Sequence, residues 1–357
     1  MTILTLPDSR FRSVEPFLDR PAQVNRSAYT GARQVVGLPG GARWRFAAEH
    51  VPIIGEAAFR PWRAALAKLK GVENTFRMPA GEGAQRVGAN PSMRQSRGYG
   101  LTNIAGCSIG ATSVTRSLAT AGAWNAGAYM TEAIGADGGV FWGIGQTNKA
   151  VMVGVNKTPA VSSGYVDQPF TLYHHADGNL RLVEGGVIQF TVGAYSTSDI
   201  FGIAISGNKL TYLQSSYPGY VIVQRTITPA ATYHLDISIF DQGATVDRIG
   251  LAPLPNASTI GISGVTPSAL FLPAGSFLTL WLANGGFQLV QLTQDATADG
   301  SGNAALVFEP PLRGAPMPVV GIETVSPYAI VALDEPTGWR VDPGQQYSFS
   351  LSASEAF

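Results

Sequence analysis

The sequence is poor in the residue types that carry most enzyme chemistry. Its 357 residues include one cysteine, Cys107, and four histidines, His50, His174, His175 and His234. A lone thiol closes no internal disulfide, which fits folding in a reducing compartment and excludes a cysteine-cluster metal site. The histidines are scattered, and the adjacent pair would point to opposite faces of a strand, so no metal is expected. Charge is sparse too, with 24 basic and 24 acidic residues; the balance gives no whole-chain attraction to nucleic acid. No apolar run of about 18 residues occurs, and the opening MTILTLPDSRFRS has no basic region followed by an apolar one. Neither a membrane span nor a secretion signal is expected. A P-loop and an intact G-x-G-x-x-G are missing, so no nucleotide or other cofactor is expected.

One motif does suggest catalysis. Gly106-Cys107-Ser108-Ile109-Gly110 fits the G-x-S-x-G elbow, and Asp199 or Asp236 with His234 follow in a workable chain order. The elbow needs a parallel α/β sheet, whereas the residues around it read as strand after strand. Closely spaced carboxylates of the kind a jelly-roll glycosidase uses are missing as well. A serine hydrolase is therefore the most distant reading, and a non-enzymatic protein is expected.

What the chain has in quantity is glycine (42), proline (23) and apolar residues (45%). That punctuation predicts a mainly β protein of many short strands. Trp44, Phe46 and Ala48 alternate with polar neighbours as in a half-buried strand, while Phe59, Trp62, Leu66 and Leu69 recur at helical spacing, with Gly71 as a stop. Nine short strands are predicted between Val140 and Phe240, with hairpin turns at Asp177-Gly178 and Gly207-Asn208, which indicates a sandwich or jelly roll. Residues 81–91 and 251–267 read as linkers. Further strands are expected at 276–282, 287–293, 304–308, 321–325 and 347–351. The expected organisation is residues 1–98 and 267–357 as one module interrupted by 99–266.

The charges are segregated in the same way. Residues 1–99 hold 15 basic against 7 acidic side chains, and 13 of the 15 are Arg, whereas residues 267–357 hold 2 against 8. Complementary ends are expected to pack on each other or on neighbouring copies. Tyrosine is concentrated too, nine of twelve lying between residues 99 and 233. Tyr173, Tyr212 and Tyr233 are expected in the core. The stretch Gln214-Ser215-Ser216-Tyr217-Pro218-Gly219-Tyr220 reads as an exposed loop, so Gln214, Tyr217 and Tyr220 are the candidate recognition residues, suited to sugar or protein surfaces.

The string LDRPAQVNRSAYTGARQVVGLPGGARWRFAAEHVPIIGEAAFRPWRAALAKLKGVENTFRMP resembles the distal tail proteins of tailed bacteriophages, and AGSFLTLWLANGGFQLVQLTQDATADGSGNAALVFEPPLR resembles the second half of that module. The resemblance implies a tail-tube-like β-sandwich or barrel with one flanking helix. It further implies a homo-oligomeric ring, usually a hexamer, in the virion tail tip, joining the tail tube protein to the tip hub protein. The middle string DIFGIAISGNKLTY, with YHLDISIFDQG, resembles SPRY or concanavalin-like jelly rolls, which implies a recognition domain for a host-surface glycan or a neighbouring tail protein. In such a ring, Arg26, Arg33, Arg43 and Arg45 are the expected partners of Asp334, Glu335 and Asp342. A trimeric receptor-binding or minor tail protein is the alternative.

Overall fold

The computed structural model describes residues 3–7, 10–26, 30, 33–37, 41–81, 84–93, 99–119, 122–228, 232–253, 255–283, 285–317 and 321–356. The protein is mainly β, with one α-helix among the described residues. Four principal sheets stack in layers.

The basal sheet has six strands in the order Ile3–Leu4, Thr75–Pro79, Tyr328–Leu333, Ser350–Glu355, Arg43–His50 and Phe11–Asp19, so both ends of the chain interleave in it. The alternation read from residues 44 to 48 is realised, with Trp44, Phe46 and Ala48 all buried. The helix α1, Glu56–Leu69, lays Phe59, Trp62, Leu66 and Leu69 on this core. It starts earlier than its apolar spacing suggests, which puts Pro61 inside the helix. Glu56 anchors that first turn, because its carboxylate accepts from Arg63 at 2.8 and 3.0 Å and from the Tyr347 hydroxyl at 2.6 Å. Those donors, Arg63 first, hold the Glu56 carboxyl down to about 2.

The bridging sheet has five strands, Phe277–Trp281, Phe287–Leu292, Asn303–Glu309, Thr259–Ser263 and Ser92–Met93. Two sequence expectations are corrected here. The stretch 251–267 is not merely a linker, because Thr259–Ser263 pairs with both Asn303–Glu309 and Ser92–Met93. Residues 321–325 form no strand. Their one ladder contact is the bridge between Glu323 and Thr279, and Thr324 is buried, accepting from Arg86 at its hydroxyl.

The middle third is a β-sandwich of two seven-stranded sheets. The middle sheet runs Cys107–Ile109, Val114–Arg116, Thr245–Leu251, Asp137–Ile144, Ile200–Ser206, Lys209–Gln214 and Val221–Thr226. The distal sheet runs Val187–Ala194, Asn179–Glu184, Phe170–His174, Val151–Asn156, His234–Ile239, Ala126–Met130 and Leu101–Ala105. Trp142, Ile203 and Tyr212 face the distal sheet, while Phe141, Ala204 and Leu213 pack on the bridging sheet. A sheet buried on both faces calls for unbroken apolar runs rather than alternation, as in Val140-Phe141-Trp142.

Base and bridging sheet are tied by one buried carboxylate. Glu355, 3% exposed, accepts from the backbone N–H of Trp44 at 3.2 Å and of Leu289 at 3.0 Å, and pairs with Arg313. Burial pushes the Glu355 carboxyl up and the Arg313 guanidinium down, each against the pull of the other. Arg313→Met should leave that carboxylate without its cation and destabilise the fold by about 3–5 kcal/mol. Urea unfolding measures this; a loss under about 1 kcal/mol would show that the pair is dispensable.

Candidate functional site

The recognition loop expected at residues 214–220 is not free. Gln214 is 3% exposed, and its side-chain amide donates to Asp199 at 3.0 Å and to Ser216 at 2.9 Å. Tyr220 has φ 65° and packs edge-on against Trp281 of the bridging sheet, with ring centroids 5.5 Å apart. Tyr217 is half-buried, its N–H donating to the Gln214 carbonyl. Gln214 and Tyr220 are thus engaged within the chain, while Ser216, Pro218 and Gly219 are exposed. A glutamine beside a buried aspartate satisfies the fold rather than a ligand.

Within one chain, several of the residues expected at the interface between copies have partners of their own. Arg43 and Arg45 both lie on Asp19, at 3.9 and 3.1 Å. Asp334 accepts from Ser352 and Ser354, and Asp342 pairs with Arg340 at 2.6 Å. Glu335 is exposed in a groove on the basal sheet. Arg26 is exposed, and Arg33 is its register partner in a two-stranded hairpin, Ala22–Arg26 with Arg33–Gly37; the Arg33 side chain lies outside the described part of the structure. Among the described residues, Arg20 of the basic end pairs with Glu309 of the acidic end at 3.2 Å.

Ser108 is exposed on an antiparallel strand, opposite Thr115, and not on a strand-to-helix elbow. No cluster of three or more His, Cys, Asp or Glu suited to a metal occurs among the described residues.

A different site emerges on the outer face of the distal sheet. The ladder aligns Gly127, Ser238, Met152, Tyr173, Arg181 and Thr191 in one row across it. The segment around Ser163 crosses this face so closely that a Cβ on Gly127 would sit 3.1 Å from the Ser163 Cα, and Ser238 donates to the Ser163 carbonyl at 2.9 Å. That crossing delivers Tyr165 to Trp124, at a ring separation of 5.1 Å. Trp124 also meets Tyr173 at 5.7 Å and Phe240 at 5.2 Å. All four rings are half-buried. Tyr173, expected in the core, therefore belongs to this surface, whereas Tyr212 and Tyr233 are in the core as expected.

A polar rim borders the rings. Asp177 accepts from Arg181 at 2.6 Å and from the Asn179 N–H at 2.9 Å, with the His175 Nδ1 at 2.9 Å. The Asn179 N–H and then His175 and Arg181 hold its carboxyl below the usual range. The Arg181 guanidinium lies 6.0 Å from the Tyr173 ring centre. Beneath the platform, Arg116 is 1% exposed and donates to the carbonyls of Ala123 and Ile239 and to the Asn125 side chain. These groups flank Trp124 and precede Phe240, so the buried guanidinium fixes the backbone that presents both rings. The site offers flat apolar surface with donors and acceptors at its edge. That combination matches the apolar face and the hydroxyls of a sugar ring.

No family model matches the chain, and no curated protein does. Among solved structures, a carbohydrate-binding module (CBM66) from Bacillus subtilis is similar at 10% identity and a TM-score of 0.30, covering 44% of this chain and 96% of that one. The PSpry domain of TRIM65 is similar at 12% identity and 0.31, covering 44% and 91%. The exoplasmic/lumenal domain of VIP36, in a Ca2+/Man3GlcNAc-bound form, is similar at 9% identity and 0.30, covering 43% and 83%.

Two buried titratable groups contribute opposite pH dependences to the sandwich. Asp236 lies under the crossing segment; burial raises its carboxyl from 3.8 to about 7, against a 2.9 Å hydrogen bond from Asn156. His174, in the core against Phe201 and Tyr195, is lowered by burial from 6.5 to about 3. Asp236 stabilises fully below its unfolded value and loses that contribution as pH rises through about 7. His174 stabilises fully above its unfolded value and loses that contribution as pH falls toward 3. Between about pH 4 and 6.5 the two slopes oppose each other. The melting temperature of Asp236→Asn relative to wild type should therefore rise from about pH 4 to 7 and then level. That of His174→Gln should rise as pH falls below about 6.5. Curves that stay parallel to wild type would refute the assignment.

Proposed function

We infer that this chain is a non-catalytic structural protein of a phage tail tip. In this reading it forms a homo-oligomeric ring, a hexamer, between the tail tube protein and the tip hub protein in the virion, and its sandwich serves as a glycan-recognition module. The observation that carries the recognition role is the platform of Trp124, Tyr165 and Tyr173, rimmed by Arg181 and Asp177 on the outer face of the distal sheet. Support for the tail-tip role comes from the resemblance at both ends of the chain, whose strands share the basal sheet.

Aromatic rings held on a sheet offer contact area at low conformational cost, while the rim supplies directional hydrogen bonds. A single site of this kind binds weakly. Several copies in one ring raise avidity by about 10²-fold or more when their spacing lets them engage together.

A glycan array probed with the full-length chain tests the recognition role. Trp124→Ala and Tyr173→Ala should each weaken binding by about tenfold or more, whereas Tyr217→Ala should leave it unchanged. No binding to any glycan or host surface would refute recognition at the platform and favour contact with a neighbouring tail protein. Immunogold electron microscopy of the particle tests the tail-tip role, and labelling anywhere other than the tail end would refute it.

A further inference from the structure

Around strands Phe11–Asp19 and Arg43–His50 the two faces of the basal sheet differ, one being buried and the other largely exposed. Helix α1, Leu289 and Phe277 pack against Trp44, Phe46, Leu351 and Ala353. On the opposite face the register sets Ser352, Ala47 and Glu15 in one row and Ser354, Arg45 and Phe17 in the next, with Phe17 51% exposed. A loop carrying Glu335 and the 43%-exposed Trp339 flanks this face and completes a groove of about 770 Å3. Neither Glu15 nor Glu335 makes an ion pair among the described residues.

The hairpin of Ala22–Arg26 and Arg33–Gly37 has the complementary deficit. It follows the Asp19 end of the Phe11–Asp19 and Arg43–His50 pair, and its two strands pair only with each other among the described residues. A two-stranded ladder alone is marginal in water and gains stability by lying on another surface. Ala22, Gln23, Asn25 and Arg26 are all exposed, and Arg26 makes no ion pair among the described residues. The groove, by contrast, is lined from the Ser13–Glu15 end of that same strand pair. An arm at one end and a receptor toward the other are what a head-to-tail contact between copies requires, and such contacts close into rings when the rotation permits.

We propose that the hairpin of one copy lies in the basal-sheet groove of the next, with Arg26 meeting Glu15 and Glu335. This rests on the homo-oligomeric reading above and assigns it two surfaces. The apolar contact falls to Trp339 in the groove and to Phe17 one row beyond it on the same face, and the unpaired charges set the register.

Sedimentation of the full-length chain tests it with Arg26→Glu, with the double variant Glu15→Arg/Glu335→Arg, and with an equimolar mixture of the two. Each variant alone should shift the mass toward monomer, with dissociation at least about tenfold stronger, and the mixture should recover assemblies through the reversed pairing. All the substituted residues are exposed, so unchanged melting temperatures establish that the variants fold. Oligomers that both variants leave intact would overturn the hairpin contact while sparing the oligomeric reading. Weakening without recovery in the mixture would overturn the pairing, and a monomeric wild type would overturn both.

Discussion

A carboxylate on the last strand, that of Glu355, fixes how the layers sit on one another. Once Glu355 is out of water it must be surrounded by donors, since a buried charge left unpaired costs several kcal/mol. The donors come from three distant parts of the chain, the Trp44 and Leu289 amides and the Arg313 guanidinium. Satisfying it therefore brings the N-terminal hairpin strands, the bridging sheet and the last strand together. Gln288 reinforces the arrangement, accepting from the Arg313 N–H at 2.9 Å and donating to the Pro311 carbonyl at 2.9 Å. From there the order passes upward, because the bridging sheet buries Phe141 and Leu213 of the middle sheet.

Periodicity made much of this legible, and its failures have physical causes. The strand at 43–50 and the buried stripe of α1 each have one wet and one dry face, so their spacing shows in the sequence. Thr259–Ser263 hid among prolines and glycines because its partners lie far away in the chain; nothing local marks a strand held by residues 92–93 and 303–307. The loop of Gln214 and Tyr220 was misread because polar residues beside a Pro-Gly turn suggest exposure, while Asp199, the group that consumes the amide, is fifteen positions away. Likewise the arginine excess suggested pairing with the acidic end, yet Asp19 lies opposite Arg43 in the same hairpin and serves both Arg43 and Arg45.

The platform was least visible of all. Its rings come from four separate segments, and only the sheet register and the crossing over Gly127 unite them. One local sign was present. Trp124 stands in the run Ala121-Gly122-Ala123-Trp124-Asn125-Ala126-Gly127, a large ring among residues too small to cover it. Placement on a sheet rather than a loop also changes the energetics, since the backbone beneath is already ordered and binding has less freedom left to remove.

The way the chain enters and leaves the sandwich has a mechanical consequence. Ser92–Met93 and Thr259–Ser263 are neighbouring antiparallel strands, with Met93 opposite Ile262. The outgoing strand connects to the sandwich through its C-terminal end and the returning strand through its N-terminal end, so both tethers emerge from the same side of the bridging sheet. A pull on the sandwich along these strands runs across the ladder hydrogen bonds rather than along them. The load is then shared by the bonds between Thr259–Ser263 and Asn303–Glu309 in shear, and they must yield together instead of opening one by one.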